Sequence, residues 1–300
     1  MKQLVILSGK GGTGKTSVAA AFAHLASVNG ANMRAILADA DVDAANLDLV
    51  LAPRLLEQED FWGGQVARIN PDICTGCDEC VQVCRFDAIQ EQDGIYHVDP
   101  IACDGCAACV YQCPQDSIKI HEQIVGQWFR SASRFGPLFH AALRPAQENS
   151  GKLVTLVKQR ARLLAMDEGY QLVLVDGPPG IGCPVISAAS GADLALIVTE
   201  PTVAGLYGLR RVLETTNHFG VPALVCINKA DIYPDGSTEI EEYCREQGIN
   251  VVGHIPFDVT ITEAMVQGEP VTSFQPDALA SQALRDIWTK VFAILQDDRS

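Results

Sequence analysis

The chain has 300 residues, 48 % of them hydrophobic, enough to bury a core in one large domain or in a medium domain with a small companion. Its formal net charge is −15. Such acidity argues against a nucleic-acid coat and against an anionic membrane surface, so neither partner is expected.

The first segment, Lys2–Leu7, is short and apolar and ends at Ser8-Gly9, which predicts a buried parallel strand. Its apolar run is too short for a secretory segment, and no run in the chain is long enough to span a membrane. A cytoplasmic location is the expectation, and in a reducing compartment eleven cysteines point to metal rather than disulfides. A glycine-rich stretch follows the strand, then a helix over Lys15–Asn29 stopped by Gly30, then a second strand, Arg34–Ala38, ending in acids. Strand, loop, helix and strand in this order begin a doubly wound, mostly parallel α/β sheet.

That rhythm breaks between Gly63 and Glu122, where the sequence is rich in cysteine and poor in helix. Two similar halves lie there: Cys74, Cys77, Cys80 and Cys84, then Cys103, Cys106, Cys109 and Cys113, offset by 29 residues. The α/β pattern returns with a helix over Leu153–Asp167 and strands over Leu172–Val175, Leu194–Val198, Ala223–Ile227 and Val251–Ile255. Helices are expected around Gly205–Phe219, Thr238–Gln247 and Ala278–Leu295. The cysteine-rich part, 63–122, thus interrupts one discontinuous domain, 1–62 with 123–300.

Gly9-Lys10-Gly11-Gly12-Thr13-Gly14-Lys15-Thr16 satisfies the phosphate-loop pattern G-x-x-x-x-G-K-[ST], between a strand and a helix as the mechanism requires. Backbone N–H groups of such a loop, continuing to Ser17, cradle phosphates at a helix N-terminus. Lys15 is expected at the β- and γ-phosphates, and the Thr16 hydroxyl at Mg²⁺. The lysine at position 10, in Lys-Gly-Gly-Thr-Gly-Lys-Thr, makes the loop resemble the deviant phosphate loop of the MinD/ParA ATPases. The resemblance implies ATP hydrolysis by an ATP-dependent homodimer in which Lys10 reaches the partner's phosphates. Asp39-Ala-Asp41-Val-Asp43 looks like that family's switch I, with Asp41 as the water-orienting carboxylate on the magnesium side. Leu172–Asp176 followed by Gly-Pro-Pro-Gly180 looks like a Walker B strand and switch II, with Asp176 holding Mg²⁺ through water. Asn228 and Pro256 fall where the family contacts adenine; Asn228-Lys229-Ala230-Asp231 alone would suit guanine as well.

C-x₂-C-x₂-C-x₃-C occurring twice is the bacterial ferredoxin spacing, although paired C-x₂-C knuckles also hold zinc. The resemblance to two-cluster ferredoxins implies one [4Fe–4S] cluster on Cys74, Cys77, Cys80 and Cys113, and another on Cys84, Cys103, Cys106 and Cys109. Cys113 is followed by the usual proline, Pro114, but Cys84 by Arg85. Cys226 reads as a core residue and Cys183, after the switch II turn, as structural. The stretch Gly126–Ser150 resembles the return segment of MinD-like ATPases with an inserted ferredoxin domain, and its residues reveal no role. Three functions follow from these resemblances: an ATPase coupling nucleotide state to electron transfer or a protein partner, an iron–sulfur assembly or carrier ATPase, and a positioning protein for cell division or DNA.

Overall fold

The computed structural model describes residues 1–28, 33–144 and 150–297, so the expected helix stop at Asn29 and Gly30 lies outside the described residues. Two units divide the chain: Met1–Gln58, Trp128–Ala142 and Ser150–Ser300 form the first, Glu59–Gln127 and Leu143–Asn149 the second. The second unit therefore reaches past the expected limits 63–122 at both ends.

The chain opens with β1 (Lys2–Ser8), α1 (Lys15–Val28), β2 (Ala35–Asp39), α2 (Leu47–Leu51) and β3 (Arg54–Ile69). Next come α3 (Glu79–Val83), β4 (Ile89–Gln92), β5 (Ile95–Val98) and α4 (Ala108–Gln112), then β6 (Ile118–Ser133) and β7 (Gly136–Leu143). Helices and strands then alternate: α5 (Ser150–Glu168), β8 (Leu172–Pro179), α6 (Cys183–Ala189), β9 (Leu194–Thr199), α7 (Val203–His218), β10 (Ala223–Asn228), α8 (Pro234–Glu246) and β11 (Asn250–Ile255). The helices α9 (Thr260–Val266), α10 (Val271–Phe274) and α11 (Leu279–Gln296) close it.

One sheet runs in the order β11-β10-β9-β1-β8-β2-β7-β6-β3. From β11 to β7 every neighbouring pair is parallel. Leu4–Leu7, Leu172–Val175 and Leu194–Val198 are fully or nearly fully buried, as runs covered on both faces must be. Helix α1 is buried along most of its length, and its Phe22 meets Trp288 of α11 with ring centroids 4.9 Å apart. Because β1 lies between β9 and β8, α1 must cross over β8 to reach β2. The crevice at the carboxyl ends of these strands is where such sheets take ligands.

Two departures from the sequence reading concern strands. The stretch from Gly126 is no simple connection: β6 and β7 form a hairpin turned by Arg134 and Phe135 and extend the sheet. Strand β8 runs on to Pro179, so Asp176 lies inside it, opposite Ile6, with an irregularity before Ser8 meets Pro179.

Helix α5 carries an unexpected tie. Lys158, 8 % exposed, donates from Nζ to the carbonyls of Ser187 (2.6 Å), Ala188 (2.7 Å) and Ser190 (2.8 Å) at the end of α6. Last-turn carbonyls have no partner within a helix and attract a cation. Burial, helped by Arg162, pushes the Lys158 ammonium down to about 8. Lys158→Met is expected to lower unfolding free energy by about 3 kcal/mol, since three carbonyls lose one charged donor. A denaturant titration giving an unchanged midpoint would show that water replaces the ammonium.

The second unit is small. Ile89–Gln92 and Ile95–Val98 pair antiparallel across Asp93-Gly94, both at positive φ, which suits a tight hairpin turn. The sequence repeat extends to the backbone: Gly76 and Gly105, Asp78 and Ala107, and Asp87 and Asp116 share positive φ. The core is Ala67, Cys80, Ile89, Tyr96, Cys109 and Ile118, with Cys74, Cys84, Cys103 and Cys113 packed against it. Cysteines thus occupy positions that an ordinary small domain would give to aliphatic side chains.

Candidate functional sites

The glycine loop leaves β1 and turns into α1 at Lys15. Its shape is enforced from two sides. A Cβ on Gly9 would lie 2.3 Å from the backbone of Gly208 in α7. One on Gly14, at φ +93°, would lie 2.3 Å from the amide nitrogen of Asn228. That amide donates to Thr13 O at 2.7 Å. Asn228 is therefore a brace of the loop as well as a wall of the pocket.

Above the loop opens a cavity of about 670 Å³, lined by Gly11, Gly12, Gly14, Lys15, Thr16, Ser17, Asp41, Asn228 and Pro256 among others. These are expected site residues from four separate strand ends. Gly9 lies against α7 instead, Thr13 is buried with its hydroxyl unpartnered, and Lys10 is not among the lining residues. Phe257 and Met265 add apolar walls that suit a planar base. Asp231 accepts a hydrogen bond from Phe257 N at 2.7 Å, which commits one carboxylate oxygen to the loop.

Three acids meet at the ends of β2 and β8. Asp39 stands opposite Asp176, and the two are 0 % and 1 % exposed. Asp39 accepts from the backbone N–H groups of Asp41 (3.0 Å), Asn46 (3.1 Å) and Leu47 (3.0 Å), so it shapes the loop that presents Asp41. The sequence reading passed over Asp39; its place as the first acid after a buried strand was the available signal. Among the described residues neither oxygen of Asp176 has a hydrogen-bond partner, although the Thr16 hydroxyl and Lys15 nearby favour its ionised form. An orphaned buried carboxylate beside a phosphate loop fits Mg²⁺, directly or through water.

The cysteines gather in two sets. One cavity of the second unit is lined by Cys74, Cys77, Cys80 and Cys113, with Asp78, Tyr96 and Ser117 among its other walls. A separate one is lined by Cys84, Cys103, Cys106 and Cys109, with Phe86, Ala88 and Val98. Each set draws three cysteines from one repeat and one from the other. Burial pushes the Cys80 thiol up and the Cys109 thiol up to about 11, a cost that a bound cationic centre would remove. At Cys113 burial acts the same way, but hydrogen bonds, led by the Ser117 hydroxyl 3.1 Å from Sγ, outweigh it and hold the thiol below its usual value. Among the described residues no three His, Cys, Asp or Glu side chains converge to hold a single metal ion. Each quartet instead surrounds a space, and a cubane spreads its irons over separate corners.

Comparison with known proteins places this geometry. The CobQ/CobB/MinD/ParA nucleotide binding domain matches residues 4–271. The chain belongs to that family. It is an ATPase of the MinD/ParA type. An uncharacterised protein of Methanocaldococcus jannaschii is 30 % identical over 293 residues, covering 96 % of both chains. The septum site-determining protein MinD of Bacillus subtilis is 26 % identical, covering 96 % of this chain and 88 % of its own. Among solved structures, MinD of Pyrococcus horikoshii complexed with Mg-ADP superposes with a TM-score of 0.59 at 18 % identity, covering 98 % and 97 % of the two chains, a likeness of fold.

Within this MinD/ParA-type ATPase, the remaining cysteines separate cleanly. Cys226 and Cys244 are buried, whereas Cys183 is exposed at the start of α6. Among the described residues no helix is long and apolar enough to cross a membrane.

The acid pair predicts a pH signature. Burial pushes Asp176 up to about 6, and burial together with the Asp176 charge raises Asp39 well above the carboxylate range. An acid whose folded value exceeds its unfolded one, about 3.9, withdraws stability as pH climbs between the two. The nucleotide-free protein is therefore expected to melt higher near pH 5 than near pH 7, and Asp176→Asn to flatten that slope. Thermal melts across this range, showing equal slopes for both proteins, would contradict it.

Proposed function

We propose that this ATPase holds two [4Fe–4S] clusters in its second unit and couples its nucleotide state to electron transfer or to a protein partner through them. The observation that carries the proposal is the pair of cavities, each lined by four cysteines drawn three from one repeat and one from the other. Such clusters store and pass single electrons. The chain's part is to keep them apart, to shield Cys80 and Cys109, and to supply hydrogen bonds such as that at Cys113.

At the nucleotide cavity, Lys15 and the loop amides would bind the phosphates, Thr16, Asp41 and Asp176 would hold Mg²⁺, and Asp41 would orient the attacking water. Lys10 is not among the residues lining its own cavity, and its reach to the phosphates of a second copy, hence an ATP-dependent homodimer, is part of the proposal. ATP would drive the coupling by binding the closed dimer more tightly than the open chain.

A second reading has its own support. Relatives with a named role favour a positioning protein over the redox reading: Bacillus subtilis MinD matches nearly end to end. An iron–sulfur cluster carrier protein of Aquifex aeolicus matches over only 38 % of this chain. The eight cysteines give the positioning reading nothing to explain them. Iron and sulfide analysis of anaerobically prepared protein, followed by EPR of the reduced form with and without ATP, separates the two. Two clusters whose spectrum responds to ATP support the proposal; zinc in place of iron overturns it. Sedimentation with liposomes or DNA only when ATP is present would favour positioning.

A further inference from the structure

Lys10 does not wait free in solvent. Its Nζ lies 2.8 Å from Oε2 of Glu200 and 3.4 Å from the Thr202 hydroxyl. The other carboxylate oxygen, Oε1, takes Nζ of Lys229. Glu200 follows β9, and its side chain is 12 % exposed against about a third for each lysine. Lys229 is tied down elsewhere: it follows Asn228, the brace of the glycine loop, and Nζ also reaches Gly12 O at 3.4 Å. Among the described residues the Lys10 ammonium has Thr202 as its partner besides the carboxylate.

We infer that Glu200 is a positioning residue of the ATPase, which parks Lys10 on its own chain and releases it when two copies close over nucleotide. This rests on the proposed reach of Lys10 to a partner's phosphates. Two cations on one carboxylate make the release practicable. Removing the sole partner of a buried charge is severely unfavourable. Here Lys229 stays behind, so Glu200 remains paired when Lys10 departs. Burial would raise the Glu200 carboxyl, but the two lysines outweigh it and keep it below the usual range, so the group is ionised throughout neutral pH. A partner's phosphates offer Lys10 more negative charge than one shared carboxylate. The parked pair is thus a threshold that nucleotide must exceed, set by a residue that does not line the nucleotide cavity.

Glu200→Gln keeps the shape and removes the charge. Dimerisation of the intact protein, measured by sedimentation velocity with a non-hydrolysable ATP analogue, is expected at a protein concentration lower by on the order of tenfold, since each of two chains loses its parking contact. Acetylation of Lys10 in the nucleotide-free protein, followed by mass spectrometry, is expected to quicken several-fold, and Glu200→Asp to restore much of the wild-type behaviour. In a Lys10→Ala background Glu200→Gln should change nothing. If the wild-type dimer depends on Lys10 yet Glu200→Gln leaves its midpoint and Lys10 reactivity unchanged, this inference alone falls. A Glu200→Gln shift that persists without Lys10 also overturns it. Absence of analogue-driven dimers in both proteins overturns it together with the proposed reach of Lys10.

Discussion

Lys15→Ala is expected to reduce phosphate release on the order of a hundred- to a thousandfold, the usual loss when one fixed charge is taken from a transition state. The side chain is 6 % exposed and lines the nucleotide cavity at the start of α1. It is also the main countercharge of the acids: among neighbouring groups Lys15 opposes the burial-driven rise at Asp41 and, with Thr16, at Asp176. Two effects should therefore appear together. Turnover collapses, and the loss of stability between pH 4 and pH 6 steepens, because the carboxylates become harder to ionise. Lys15→Arg should rescue the second effect better than the first, since a planar fork restores charge but not the position of a point donor. Steady-state phosphate release paired with thermal melts tests both; turnover within a few-fold of wild type would remove Lys15 from the chemistry.

The second large effect is in the cysteine unit. With two clusters held as proposed, Cys80→Ser and Cys77→Ser should each cost about half of the bound iron, because each would remove one ligand of the same quartet. Their structural consequences should differ. Cys80 is buried in the unit's core, whereas Cys77 is exposed. Cys80→Ser places a hydroxyl among Ala67, Ile89 and Tyr96, so limited proteolysis should open the second unit readily. Cys77→Ser should resist for longer. Cys109→Ser and Cys106→Ser should repeat the contrast in the other quartet. Equal protease resistance of Cys80→Ser and wild type, with iron unchanged, would deny the cysteines a ligating role.

Much of the fold was legible because it rests on short apolar runs between glycines. Lys2–Leu7, Leu194–Val198 and Ala223–Ile227 could be placed within a residue or two, since apolar runs that short, bounded by turn residues, are too short for helices. β3, β6 and β7 could not. Their burial is irregular: most of Arg54–Ile69 faces solvent, including Leu55 and Leu56, so neither alternation nor a continuous apolar run marks it. Strand β6 mixes His, Glu and Gln with Trp128 and Phe129 for the same reason.

At the nucleotide cavity, motif residues were legible and their supports were not. Lys15, Thr16, Asp41, Asn228 and Pro256 line one space because strand ends converge there. Glu200 and Lys158 act through contacts with residues distant in sequence, and spacing along the chain carries no trace of such partners; Asp39 braces the loop that directly follows it, and its burial opposite Asp176 is what the sequence leaves unmarked. The exposure of Cys183 was not legible either: it opens α6, a helix that the sequence reading did not place.

The tie between Lys158 and α6 has a mechanical consequence. That short helix is held at its far end, where one ammonium grips three carbonyls, while its near end carries Pro184 into the wall of the nucleotide cavity. A lever fixed at one tip cannot slide along its axis. Any shift at Pro184 as the cavity fills must then become a tilt about Ser187–Ser190, with α5 as the fulcrum.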